Sequence, residues 1–277
     1  MTAAVESQPK TAAASGAAAT LKRERLFYAV ASLILLGMAL LGFRYFYLMG
    51  GKGFMGNPLT REVVPVILTH AFAMSSWTIL LVTQSVLVYR GKLRAHRTWG
   101  WVGAVLAVAV VGLGAAMAIL SAHYNPTAYM MFSGPKFFLM EMLTEIALFG
   151  VLITIAILNR NRAEVHRPFI LTATIVVASG ALARVPVLDL LAALPPIYAY
   201  GPVLGLGALL YLLKWWMTGR HDRWFAIALG SVALVFLISL PIGRSALWEW
   251  LWDGYILDPA EIRARFPCPY PGPFETC

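Results

Sequence analysis

Charge-free apolar stretches of about 20 residues recur along most of this 277-residue chain, and they restrict its fold more than any other feature. A hydrocarbon layer about 30 Å thick asks that length of a helix rising 1.5 Å per residue. Seven such segments are predicted, at about 25–48, 62–89, 98–121, 137–158, 168–193, 197–216 and 224–243. Strands crossing lipid would alternate apolar and polar residues over about ten positions, and none of the seven does. Composition agrees: 60% of residues are hydrophobic and 13% charged, against roughly 45–50% and about 25% in soluble domains. The expected fold is all-α, a polytopic transmembrane bundle of about seven helices.

The net charge of +9 would suit a nucleic-acid binder, but its distribution argues for topology instead. Lys22, Arg23 and Arg25 precede the first segment, while Arg90, Lys92, Arg94 and Arg97 lie between the second and third. Arg160, Arg162 and Arg167 lie between the fourth and fifth, and Lys214, Arg220 and Arg223 between the sixth and seventh. The opposite loops carry only Lys52, Arg61 and Lys136. By the positive-inside rule the N-terminus is cytoplasmic and the C-terminus outside, and no nucleic-acid partner is needed to explain the charge. Residues 1–22, rich in Ala, Ser and Thr, read as a disordered cytoplasmic tail. Residues 23–245 form the bundle, whose first helix is uncleaved because its apolar run exceeds a signal h-region. Residues 246–277 form an outer tail whose Trp and Tyr suit an interface and whose Cys268 and Cys277 are a candidate disulfide in an oxidising compartment.

Histidines set the functional reading. HRTW at His96, HRPF at His166 and HDRW at His221 begin alike the three later helices that run outward from the cytoplasm. Arg and aromatic residues anchoring helix ends at headgroup level explain that repeat without any ligand. Depth adds a second reading. His70 lies about eight residues into its segment, roughly 12 Å along the axis, and ionisable residues at membrane depth mark functional sites. The intervals His70–His96 and His96–His123 each span about one crossing, so His70 and His123 fall at an outer level and His96 and His166 at an inner one. Imidazole pairs on facing helices hold b-type haem, and the Gly and Ala residues of the neighbouring helices leave room for a flat ring. Two such haems would carry electrons across the bilayer.

Glu141 and Glu145 stand four residues apart, on one face of a helix. Buried carboxylates need a proton, a cationic partner or a metal. Lys136, Arg184 and His70 are candidate partners, giving a structural ion network or a proton path beside a redox centre. Alternatively His70, His123, Glu141 and Glu145 form a metal site suited to non-haem iron, manganese or zinc. No nucleotide-binding glycine loop and no catalytic Ser-His-Asp order is discernible.

The stretch HAFAMSSWTILLVTQSVLVYRGKLRAHRTWGWVGAV, from His70 to Val105, resembles a family of bacterial multi-pass membrane proteins of undefined function. Their pattern joins a helical His to an inner basic turn ending in His-Arg, with a Gly just beyond an aromatic residue. VHRPFILTATIVVASGALARV, from Val165 to Val185, is similar to the family's later helix, which opens with His-Arg and ends in Arg. The two regions cover about a fifth of the chain. More distantly, the two-level histidine arrangement is similar to ascorbate-reducible b-type cytochromes and ferric-reductase bundles, where paired histidines bind haem.

Three functions are therefore expected to compete. The first is a redox protein of a bacterial plasma (inner) membrane, with haem b on His70, His123, His96 and His166 and with Glu141, Glu145 and Arg184 serving protons or propionates. It would pass electrons between a quinone or small reductant and an acceptor. The second is a non-haem metal enzyme acting on a lipid or isoprenoid substrate. The third is a transporter or respiratory-complex assembly factor. The sequence does not define an oligomeric state.

Overall fold

The structure is a computed structural model that describes residues 9–48, 64–124, 135–185 and 195–255; among them every regular element is a helix. In chain order these are α1 (Pro9–Gly42), α2 (Arg44–Leu48), α3 (Val64–Tyr89), α4 (Leu93–Tyr124) and α5 (Pro135–Leu158). They continue with α6 (Ala163–Val177), α7 (Ser179–Leu182), α8 (Pro195–Thr218), α9 (Arg223–Ile242) and α10 (Ala246–Tyr255).

Five of these contain stretches long and apolar enough to cross a membrane: Gly16–Gly42, Val64–Tyr89, Leu93–Leu120, Lys136–Leu158 and Arg223–Ile242. The chain is thus an all-helical protein with the helices of a multi-pass membrane protein. The predicted fifth crossing, 168–193, is not one continuous helix in its described part. α6 has 15 residues and stops at Ala178, whose amide is shared between the Thr174 and Ile175 carbonyls. Tight turns follow, with Arg184 N bonded to Ala181 O and Val185 N to Leu182 O. The run Thr174–Ile175–Val176–Val177 is β-branched throughout and poor at holding a helix. Gly180 weakens the continuation, and Val185 precedes Pro186, which disfavours helical backbone.

α3 and α4 form an antiparallel hairpin through a turn at Gly91, whose φ of 73° suits a residue without Cβ. α5 and α6 form a second hairpin. α6 sits at the centre, packed on α1, α5, α8 and α9, and is buried around most of its circumference, from Val165 to Val176. Phe27, Phe149, Phe225, Phe236, Leu210 and Ile175 fill the core around it. At the C-terminal end of α1, Gly42 lies against α7 so closely that a Cβ there would overlap the Ala181 carbonyl.

Other expectations change as well. The Ala-rich tail is helical from Pro9 onward, within the 1–22 span expected to be disordered: alanine has the highest helix propensity, and proline suits a first helical position. α1 ends at Gly42 instead of running to residue 48. Pro168 is the sixth residue of α6, which begins at Ala163. His123 has a helical backbone in the last turn of α4. The start of the outer tail is α10, whose Trp248 and Trp252 pack against Ala118 and Leu139. Lys136 straps it down through Glu249 (3.4 Å) and Asp253 (2.9 Å). Cys268 and Cys277 lie outside the described residues.

Candidate functional site

His96 and His166 are each the fourth residue of their helix, α4 and α6, and their amides close matching first turns onto Lys92 O and Arg162 O. That equivalence brings the rings together at one level: their centroids are 6.4 Å apart and their planes 80° apart. His166 Nδ1 is 2.8 Å from the Ala156 carbonyl of α5, an arrangement that makes Nδ1 the donor and leaves Nε2 bare. His96 Nδ1 is buried without a hydrogen-bond partner among the described residues. Arg97 and Arg167 are near enough to act on the His96 ring electrostatically.

Two imidazoles on one metal, with bonds of roughly 2 Å plus each ring's radius, place their centroids about 6 Å apart. The inner pair has this spacing. One turn along the same face of α4 as His96, a Cβ at Gly100 would meet nothing within 4 Å, so the flank is open. The pair therefore supplies two imidazole donors at the separation that one shared metal would set.

The outer level is different. The His70 ring packs over Gly114 of α4: its Cε1 is 3.6 Å from where a Cβ at Gly114 would stand, and Ile146 of α5 covers the same spot. Gly114 precedes His123 by nine residues, roughly 13 Å of helix. The side chain of His123 lies outside the described residues. His70 Nδ1 is buried and has no partner among the described residues. Ile146 also borders a shallow apolar groove of about 340 Å³ between α4 and α5, lined further by Val111, Gly150 and Thr154.

Glu141 and Glu145 are both 8% exposed. Glu145 Oε2 accepts a 2.5 Å hydrogen bond from the Ser179 hydroxyl, at the first residue of α7. Glu145 Oε1 has no partner among the described residues. The cations proposed from sequence go elsewhere: Lys136 binds Glu249 and Asp253, while the Arg184 guanidinium bonds to Gly180 O and lies 4.9 Å over the Phe43 ring. Among the described residues no three of His, Cys, Asp or Glu gather as a metal-ligating group, so His70, Glu141 and Glu145 do not meet as one.

Sequence reasoning missed a third cluster. Lys214 was counted as an inner loop charge, yet it lies inside α8 and is 3% exposed. It donates to the Tyr28 hydroxyl at 2.6 Å and to Asp222 Oδ2, and Glu24 Oε1 is 3.6 Å away. Arg167 Nη1 reaches the same Glu24 at 3.5 Å. Asp222 also caps α9 by accepting from Phe225 N–H at 3.0 Å. This network is fully partnered and pins α1, α6, α8 and the start of α9 together. His221, the third helix-start histidine, stacks on Trp215 with centroids 4.7 Å apart and faces the Tyr211 hydroxyl at 3.3 Å. It serves packing and is not near the His96–His166 pair in any contact described.

No protein-family model, curated protein or solved structure matches the chain. The functional reading therefore rests on residues and geometry.

Proposed function

We propose that the chain is an integral membrane redox protein in which His96 and His166 hold a b-type haem near the cytoplasmic face. The observation that carries this reading is the inner histidine pair: two rings at metal-bridging separation, one oriented by a backbone carbonyl and the other with an unpartnered buried nitrogen. Bound there, haem supplies one-electron transfer. The chain's own part is to fix the imidazoles. Ala156 O holds the His166 tautomer so that Nε2 is the ligating atom. Arg97 and Arg167 provide positive charge where propionates would lie. In this reading His70 serves an outer electron-transfer step, and the groove between α4 and α5 accommodates the tail of a quinone or similar lipid-like reductant.

The same reading takes α6–α7 and α8 as further crossings, giving seven, with the N-terminus in the cytoplasm of a bacterial inner membrane. Support comes from the basic residues at the α3–α4, α5–α6 and α8–α9 turns. The resemblance to an uncharacterised family of bacterial multi-pass proteins, and more distantly to b-type cytochromes, points the same way. A metal-enzyme reading has less to rest on, because the described His and Glu residues do not converge.

The test is a dithionite-reduced minus oxidised spectrum of detergent-purified protein expressed with ample haem, together with metal analysis. A b-type α band that disappears in both His96→Ala and His166→Ala proteins, and persists in His221→Ala, is expected. A flat spectrum, or a band unchanged by His166→Ala, refutes the assignment.

A further inference from the structure

Ser and Thr hydroxyls in the long helices mostly bond back to their own carbonyls. Ser75 donates to Ala71 O, Thr78 to Met74 O, Thr154 to Gly150 O and Thr174 to Ile170 O. This is the usual way such groups are satisfied at membrane depth. Ser179 behaves differently. Sitting just past the break in α6, it sends its proton across to Glu145 Oε2 on α5. One oxygen of Glu145 is thereby fixed, and the other is left buried with nothing bonded to it among the described residues.

Glu141 is the charge that acts on that carboxyl, one turn earlier on the same face. Two ionised carboxylates in apolar surroundings, with one hydroxyl donor to Glu145, would each carry a desolvation cost of several kcal/mol with no opposite charge among the described residues to offset it. Among the described residues, no ion pair to either carboxylate supplies that charge. Lys136 is engaged on α10, and Ser239 of α9 is neutral, as is Tyr200 of α8. The Tyr200 hydroxyl is taken up by Ser239 Oγ at 2.9 Å. The Arg184 guanidinium is directed to Gly180 O and Phe43, and that of Arg44 to Leu41 O and Arg184 O. A calcium or magnesium ion asks for six or more oxygens, whereas the described side chains gathered here are two carboxylates and one hydroxyl.

We propose that Glu141 and Glu145, with Ser179 as the positioning donor, form an intramembrane site for one exchangeable proton shared by the two carboxyls. In the protonated state Glu145 Oε1 bears the hydrogen and the pair carries a single negative charge; on release the proton passes to water on the outer side, and the O–H bond is the only bond broken. The assignment deepens the redox reading above, because an electron moving through the bilayer needs a compensating positive charge, but the site itself stands on the carboxyl geometry.

Infrared difference spectra of the full chain in lipid nanodiscs test it, taken across a pH titration in H2O and D2O with potassium as the only salt cation. A protonated-carboxyl C=O band is expected that shifts in D2O, loses intensity as pH rises, and is absent from Glu145→Gln protein. In Ser179→Ala protein the band should persist at a shifted frequency, as a lost positioning bond requires. A band that neither exchanges nor titrates means a locked structural proton, and no band at any pH means two ionised carboxylates; either overturns the proposal. Displacement of the band by sodium overturns it in favour of a metal-cation site. The wild-type titration needs no variant to fold. It is also independent of haem: a flat visible spectrum with an exchanging carboxyl band removes the redox reading and leaves the proton site.

Discussion

Replacing Lys214 by Met tests whether the inner ionic network is a buried clamp or a screened surface pair. Met keeps the length and apolar stem of the side chain, so the change removes the charge without opening a large cavity. Lys214 is 4% exposed at its side chain and Asp222 16%. Stripping one partner from such a buried pair costs about 3–5 kcal/mol. Two features soften the loss. Asp222 keeps its bond to Phe225 N–H at the start of α9, and Glu24 keeps Arg167 at 3.5 Å. The lower end, about 3 kcal/mol, is therefore expected. Asp222→Asn removes the negative charge but retains a good N-cap. The double variant Lys214→Met/Asp222→Asn should then recover about 2 kcal/mol of the summed single losses, since neither charge remains stranded. Unfolding in mixed lipid–detergent micelles by SDS titration, followed by tryptophan fluorescence, measures all three. If Lys214→Met costs under about 1 kcal/mol, the value of an exposed ion pair, and the double variant shows no recovery, the reasoning fails.

Gly42→Ala should destabilise by about 1–3 kcal/mol in the same assay, the cost of overpacking, because its Cβ would overlap the Ala181 carbonyl. Gly37→Ala, five residues earlier on the same helix and facing open space, should be neutral or stabilising by up to about 1 kcal/mol; equal losses at both positions would deny the close approach of α1 to α7. Thr174→Val keeps the shape of the side chain but leaves the Trp77 indole N–H, now 3.1 Å from the Thr174 hydroxyl, without its acceptor. A loss of about 1–3 kcal/mol with a shifted Trp77 emission is expected, and an unchanged midpoint would show that the indole finds another partner.

The long helices were legible in the sequence because charges bound them. Arg90 and Lys92 mark the α3–α4 turn, Arg160 and Arg162 the α5–α6 turn, and the observed ends of α3, α5 and α9 fall within about two residues of the apolar limits. The α6–α7 break was not legible, since hydropathy stays high across Val177, Ala178 and Ala181 while the backbone changes. What marks the break is a run of β-branched residues and a hydroxyl with a better partner on another helix. Lys214 was misread for a related reason: a cation near a helix end has the same local sequence whether it faces water or donates to a phenol on a helix 186 residues away. The inner histidine pair was legible because His96 and His166 occupy the same position in two helices that start alike. The His70 ring lies over Gly114, a contact that spacing between histidines does not encode.

The network around Lys214 also sets a timetable for assembly. Glu24 and Tyr28 leave the ribosome with the first helix, and Lys214 follows 186 residues after Tyr28. At synthesis rates of about 5–20 residues per second the wait is roughly 10–40 s. During that interval α3, α4, α5 and α6 emerge while the acid and phenol of α1 still lack the ammonium that will hold them, and Arg167 becomes available to Glu24 first. The Lys214 clamp on the first helix is thus among the last contacts to form, and chains truncated before α8 should hold α1 only through α3, α6 and α7.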